Sequence, residues 1–168
     1  MSGWGTQLGD EGSAYDVAMR AIRAAVRAWD GRDRETALIE AVQRYFGVRD
    51  LRELVPLFYE RGVPRHVVAG FATHVVDTAR ADDMRAKFIL RQAGEELARD
   101  ALACAAKLFE RDDIFTVAMT GGMFKSRIFR RAFERAFELL FPYAEFREPV
   151  MPPAEAVARA ALRRLRAG

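Results

Sequence analysis

The sequence predicts a helix-rich α/β fold. Three observations carry that expectation. An apolar repeat of helical period fills most of the chain before residue 110, one uncharged β-rich run occupies residues 114–119, and a Gly121-Gly122 turn joins that run to a further amphipathic helix.

The elements follow in order. Residues 16–29 form the first predicted helix, with Ala18, Ile22, Val26 and Trp29 on its apolar face and Asp30-Gly31 as its stop. Residues 34–46 repeat the period through Ala37, Leu38, Ala41, Val42 and Phe46 up to Gly47. Asp50 is placed to cap a short helix at 51–59, and Gly62-Val63-Pro64 breaks the chain before a helix at 65–80 that should bury Val68, Phe71, Ala72, Val75 and Val76. Asp82 or Asp83 starts the longest helix, which should reach residue 109 through Phe88, Ile89, Ala93, Leu97, Ala101 and Ala105.

The run at 114–119 reads as a strand covered on both faces. It passes through Thr120-Gly121-Gly122 into a helix at 124–140 whose buried stripe is Phe124, Ile128, Phe129, Ala132, Phe133, Ala136 and Phe137. Residues 143–150 suit a second strand, and Pro152-Pro153 leads into a last helix in which Ala156, Ala160, Leu162 and Leu165 predict a buried stripe. Strand, helix, strand and helix make a parallel unit, yet two strands are few for a parallel sheet, so part of the sheet is expected to be missing.

A chain of 168 residues with no Ser/Pro-rich linker is expected to form a single domain over 1–168. Apolar residues make up 51% and charged residues 30%, and the net charge of +3 is spread over helix faces, which gives no support to a nucleic-acid partner. Arg159, Arg163, Arg164 and Arg166 read as a solvated basic face. No basic, apolar secretory start and no run approaching about 20 apolar residues is present, so no membrane partner and a cytoplasmic location are expected. Cys104, the only cysteine, excludes an internal disulfide; among Ala101, Leu102, Ala105 and Leu108 it reads as a small core residue. His66 and His74 are spaced too far apart for an i,i+4 metal pair.

Chemistry concentrates in two loops. Gly3, Gly5, Gly9 and Gly12, interleaved with Trp4, Asp10, Glu11, Ser13 and Tyr15, form a ligand loop at the threshold of the first helix. Asp10 and Ser13 also suit plain helix capping, which leaves Trp4 and the glycine spacing unexplained. The second loop, strand to Gly121-Gly122 to helix, offers backbone N–H groups to a nucleotide or phosphate, and equally suits a tight βα turn.

The pattern Gly3-Trp4-Gly5-x-x-x-Gly9-Asp10-Glu11-Gly12-Ser13-Ala14-Tyr15 resembles the sugar-site loop of N-acetylglucosamine kinases in the BadF/BadG/BcrA/BcrD ATPase family, within the actin-like sugar kinase superfamily. Val63-Pro64, Val68-Ala69-Gly70-Phe71-Ala72, Ala81-Asp82-Asp83 and Ile89-Leu90-Arg91-Gln92-Ala93-Gly94-Glu95-Glu96-Leu97 are similar to its helical insertion. Thr120-Gly121-Gly122-Met123-Phe124-Lys125-Ser126 resembles its adenosine loop. Pro152-Pro153-Ala154-Glu155-Ala156 resembles its last turn, with Glu155 where the family has glycine.

The resemblance implies a partial ribonuclease-H-like (actin-like ATPase) lobe with a short parallel sheet and a large helical insertion. It implies the second lobe of an ATP-dependent kinase acting on N-acetylglucosamine or glucosamine, with ATP and Mg²⁺ as cofactors. Asp10 would accept sugar hydroxyls, with Gly12, Ser13 and Ala14 lining the sugar; Gly121 and Gly122 would lie against the nucleotide, with Lys125 and Ser126 near the adenosine. The general base and the phosphate loops would belong to a first lobe, and the first strands of this lobe would lie upstream. The chain would therefore hold no catalytic residue, be close to inactive alone, and take a first-lobe chain or a second copy as partner. Two other readings stay open: a non-catalytic assembly or remnant module of the same family, and an activator of CoA-ester dehydratases. The latter resemble iron–sulfur proteins built on paired cysteines, against which Cys104 stands alone.

Overall fold

The computed structural model describes Trp4, Gly5 and residues 8–167; Gly3, Thr6 and Gln7 of the opening loop lie outside the described residues. The helices are α1 (Ala14–Trp29), α2 (Leu38–Phe46), the single turn α3 (Leu54–Pro56), α4 (Arg65–Arg80), α5 (Met84–Ala105), α6 (Arg127–Glu138) and α7 (Pro153–Ala167). Two short strands, β1 (Thr116–Ala118) and β2 (Glu145–Arg147), flank α6 and pair in parallel with Val117 opposite Phe146.

α1, α2, α4 and the first half of α5 enclose one core. α1 begins where Ser13 Oγ accepts the Asp16 N–H at 3.1 Å, and it buries Val17, Ala18, Ala21, Ile22, Ala24, Ala25 and Ala28. That alanine-rich face lets α4 approach closely, and Val68, Phe71, Ala72 and Val75 fill the opposite wall. Tyr45 reaches over α4 at Gly70, where its hydroxyl occupies the space of a Cβ and donates to the Val67 carbonyl at 2.7 Å.

The second half of α5 packs against α6 and the sheet. Ala98, Ala105, Met119, Phe133, Phe137 and Phe141 form this smaller core, which is built largely from edge-to-face aromatic contacts such as Phe137 on Phe146 at 5.8 Å. A Cβ at Gly94 would collide with the Phe129 carbonyl, so α5 and α6 cross at a point only glycine permits. α5 is thus the shared wall of both cores.

Several elements depart from expectation. The second helix begins at Leu38 rather than at residue 34, because the Asp83 carboxylate takes the Ala37 N–H and the Thr36 hydroxyl, both at 2.9 Å, and ends the ladder there. The same carboxylate caps α5 through the Ala86 N–H at 2.8 Å. The stretch expected as one helix at 51–59 is a 3₁₀ turn (Leu51–Glu53), α3 and a π turn (Leu57–Arg61). Asp50 and Glu53 form a capping box at its start, and Pro56, which has no N–H to donate, falls where the ladder changes.

α5 ends at Ala105, short of residue 109, and Phe109 turns back to stack on Phe115 at 3.9 Å. Cys104 is exposed, a correction to its expected core position: on the helical wheel it lies about 100° from the Ala98–Ala105 stripe that faces α6. Trp29 and Phe88, expected on buried faces, are 39% and 40% exposed; each sits at the margin of its stripe, and Arg85 and Arg91 cover the Phe88 ring.

The strand at 114–119 shortens to three residues and is covered on one face only. Val117 is half-buried against the smaller core while Thr116 and Ala118 are exposed, since no described element packs on their side. The helix expected from residue 124 begins at Arg127, after a 3₁₀ turn (Gly122–Lys125) that still inserts Phe124 between Phe129 and Phe133. In α7, Ala156, Ala160, Leu162 and Leu165 are exposed rather than buried, because no described element faces them. Among the described residues no helix is long and apolar enough to cross a membrane.

Candidate functional site

The opening loop is closed by backbone before it is closed by side chains. Gly5 and Gly9 form an antiparallel bridge with the Gly9 N–H on the Gly5 carbonyl at 2.9 Å, and the Ser13 N–H returns to the Asp10 carbonyl at 3.1 Å. Asp10 then stands at the head of α1. Its Oδ2 accepts the Ser13 hydroxyl at 2.9 Å and the Arg65 guanidinium at 2.6 Å, while Oδ1 takes no protein hydrogen bond among the described residues. Arg65 enters as the first residue of α4 and also lies over the Tyr15 ring at 5.6 Å.

Gly12 has a different task from its neighbours. Its φ of +75° is one that side chains rarely adopt, and a Cβ there would lie 2.8 Å from Leu97 Cβ and 2.9 Å from the Ala93 carbonyl. Its small size is required by α5, and Ala14 is half-buried against the helical core. Below them Asp16 accepts the Gly12 N–H at 3.1 Å and pairs with Arg20 at 2.8 Å; Arg20 continues to Glu96 on α5. Burial pulls the Arg20 guanidinium down, but the hydrogen bonds to Glu96 and Asp16 and the charges behind them outweigh it, and its pKa ends well above the ordinary value. The loop is fastened to α5 by this chain of groups. In front of it lies a cleft of about 200 Å³, lined by Gly9, Asp10, Glu11, Tyr15, Arg20 and Arg23 among others. A carboxylate with one free oxygen, bordered by an aromatic ring, suits a neutral polyol.

The second loop leaves its backbone open. Gly121 has φ +108°, and a Cβ at Gly121 or Gly122 would meet nothing within 4 Å. Ser126 is buried and caps α6 through the Phe129 N–H at 3.5 Å, whereas Lys125 is exposed beside the loop. A cleft of about 520 Å³ is lined by Thr120, Gly121, Lys125, Arg127, Arg130 and Glu148, among others. Its cations outnumber its carboxylate, and the start of α6 lies beside them, so it suits a phosphorylated ligand. The hydrogen bond from Arg130 to Glu134 holds that guanidinium above its usual pKa.

The structure thus brings Asp10 and Ser13 together, and Gly121 with Lys125, but the two clefts share no lining residue. They are linked through α5: Gly12 rests on Ala93 and Leu97, and Gly94 lies under Phe129, just after the Ser126 cap. Sequence reasoning missed Arg65, Arg127 and Arg130. The last two were legible as cations within one helical turn of Ser126; Arg65 carried no local signal, since its partner lies 55 residues away.

Among the described residues no group of three or more His, Cys, Asp or Glu is placed to hold a metal ion. Glu148 is the carboxylate lining the Gly121 cleft, and one carboxylate makes no Mg²⁺ cage by itself, so the residues here do not match a Mg²⁺ ligand set. His74 is engaged in aromatic packing, 4.8 Å from Tyr45 and 6.0 Å from Phe71.

A helix-rich α/β lobe with one glycine loop at a helix start and another at a βα turn has the features of an actin-like ATPase lobe. The BadF/BadG/BcrA/BcrD ATPase family model matches residues 1–163, and the chain belongs to that family. It is 31% identical over 122 residues to an N-acetylmuramic acid/N-acetylglucosamine kinase of Clostridium acetobutylicum, a match covering 72% of this chain and 40% of that protein. Among solved structures it is similar to a Chromobacterium violaceum protein described as an N-acetylglucosamine kinase, with a TM-score of 0.60, 29% identity, and coverage of 86% of this chain and 46% of that one. The chain therefore spans less than half the length of either relative.

Proposed function

We propose that residues 1–168 form the sugar-holding and nucleotide-facing lobe of an ATP-dependent amino-sugar kinase. The observation that carries this reading is the Asp10 carboxylate, which lines the cleft, is fixed through Oδ2 by Ser13 and Arg65, and has no hydrogen bond at Oδ1 among the described residues. An ionised carboxylate held in this way accepts hydrogen bonds from sugar hydroxyls without reorganising, which is what positioning for group transfer needs. The open Gly121-Gly122 backbone with Lys125, Arg127 and Arg130 would hold the nucleotide, and ATP would supply the phosphoryl group. Both named relatives are kinases of N-acetylglucosamine by description, which supports the amino-sugar class.

The resemblance puts the residue that deprotonates the sugar hydroxyl in a first lobe, and Asp10 is taken up in holding the sugar. We therefore assign the general base, the phosphate loops and the Mg²⁺ ligands to a first lobe, supplied by another segment or another chain, in a cytoplasmic enzyme. The test joins residues 1–168 to the first lobe of a relative and follows sugar phosphate formation with ATP and N-acetylglucosamine. Product from the joined protein and none from residues 1–168 alone is the expected result; turnover by residues 1–168 alone contradicts it.

A second reading is favoured by the sheet itself. Among the described residues β1 and β2 pair only with each other, so the outer edge of each strand is unpaired, and a bare parallel edge invites pairing with another chain. An assembly module would bind a partner through this edge and show no sugar or nucleotide affinity.

A further inference from the structure

The outer side of the α5–α6 pair carries a groove of about 810 Å³ that belongs to neither cleft described above. Its banks are four arginines, Arg91 and Arg99 from α5 and Arg131 and Arg135 from α6, all exposed. None of the four forms an ion pair among the described residues, and Arg91 lies over the Phe88 ring instead. Glu95 is the one carboxylate among the lining residues. Between the banks the floor is apolar, made by Ala132, Ala136 and Leu139, and Leu139 is 82% exposed.

We infer that this groove docks an acidic amphipathic helix of a partner protein. Charge selects the occupant. A second copy meeting groove to groove would set four unpaired arginines against four, and α7 of a second copy would bring Arg159, Arg163 and Arg164 to the same banks. Length agrees: the groove runs along α5 from Arg91 to Leu102, about 16 Å at 1.5 Å per residue, or three turns of a docked helix. Such a helix presents apolar side chains at i, i+3, i+4 and i+7 to the floor and carboxylates to both banks. Arginine is suited to these contacts because its planar fork takes a carboxylate with two parallel hydrogen bonds.

The experiment titrates the 168-residue chain into a fluorescein-labelled helical peptide of leucine and glutamate with that spacing, read by anisotropy. A second peptide replaces every glutamate by lysine. Saturable binding of the acidic peptide, no binding of the basic one, and a loss of about tenfold in affinity for the R131E/R135E double variant is the expected result. L139E, which changes the floor, weakens the acidic peptide as well, and unchanged far-ultraviolet circular dichroism shows that both variants fold. Equal binding of the two peptides, no binding of the acidic peptide, or wild-type affinity in R131E/R135E overturns the inference. A dimer of the chain in sedimentation that R131E/R135E dissociates also overturns it, by assigning the groove to a second copy.

Discussion

Arg65 Nη2 lies 2.6 Å from Asp10 Oδ2, so the first residue of α4 fixes the carboxylate that precedes α1. Arg65 is largely exposed, and a pair open to solvent contributes little to folding, on the order of 0 to 1 kcal/mol. R65A is therefore expected to leave the urea midpoint almost unchanged, yet to weaken amino-sugar binding about threefold to tenfold by freeing the Asp10 side chain. D10N, which keeps the shape and removes the charge, should weaken it by more than about tenfold. Calorimetry on the two-lobed protein checks both; a D10N variant with wild-type affinity contradicts the role given to Asp10.

The two glycines on either side of the loop–α5–α6 stack are expected to be intolerant of alanine. G12A forces a Cβ against Leu97 and Ala93 at a φ of +75°, and G94A drives one into the Phe129 carbonyl. Each should cost about 2–4 kcal/mol, from overpacking and, at Gly12, backbone strain. Equilibrium denaturation measures this directly. Gly122 supplies the control: nothing lies within 4 Å of a Cβ there and its φ is not positive, so G122A should cost no more than about 1 kcal/mol.

At the second cleft, stability and ligand binding should separate by residue. S126A removes the acceptor of the Phe129 N–H at the start of α6 and is expected to cost about 1 kcal/mol. K125A and R127A, both exposed, should leave the melting temperature unchanged and reduce ATP affinity in the two-lobed protein by several-fold each. Loss of ATP affinity in neither variant would remove the cleft from the nucleotide site.

Asp33 gives a pH signature. The hydrogen bond from Arg27 at 2.8 Å, with the further charges of Arg27 and Arg85, holds its carboxyl below the ordinary 3.8. A carboxyl with a lowered folded-state pKa stabilises the protein above its unfolded-state pKa and loses that contribution as pH falls through the folded-state value. The stability difference between wild type and D33N should therefore be constant from neutral pH down to about pH 5 and shrink below the ordinary carboxylate range. Chemical denaturation across pH 2–7 checks the sign, and a difference that grows on acidification contradicts it.

The helical part of the fold was readable because its signals are local. α4 has the predicted bounds, and the Asp50 and Asp83 caps follow from side chains adjacent to the helices they start. What escaped depended on distance or on neighbours. The late start of α2 is set by Asp83, 46 residues away from Ala37, and the Arg65 partner of Asp10 is equally remote. Burial at Thr116, Ala118 and along α7 was misread because an apolar pattern states what a surface would bury, not whether an element is there to cover it. The glycine loops were legible as loops. That Gly12 serves α5 while Asp10 faces the cleft required knowing which side of the loop the long helix occupies.

The central claim is that the loop around Asp10 holds an amino sugar, and nitrogen-15 NMR of the 168-residue chain tests it even where affinity is weak. Titration with N-acetylglucosamine to tens of millimolar should shift the amide signals of Asp10, Glu11, Ser13, Tyr15 and Arg65, with the D10N chain as a control in which those shifts are lost. No shift in that loop, or shifts confined to the α5–α6 groove, would contradict the account.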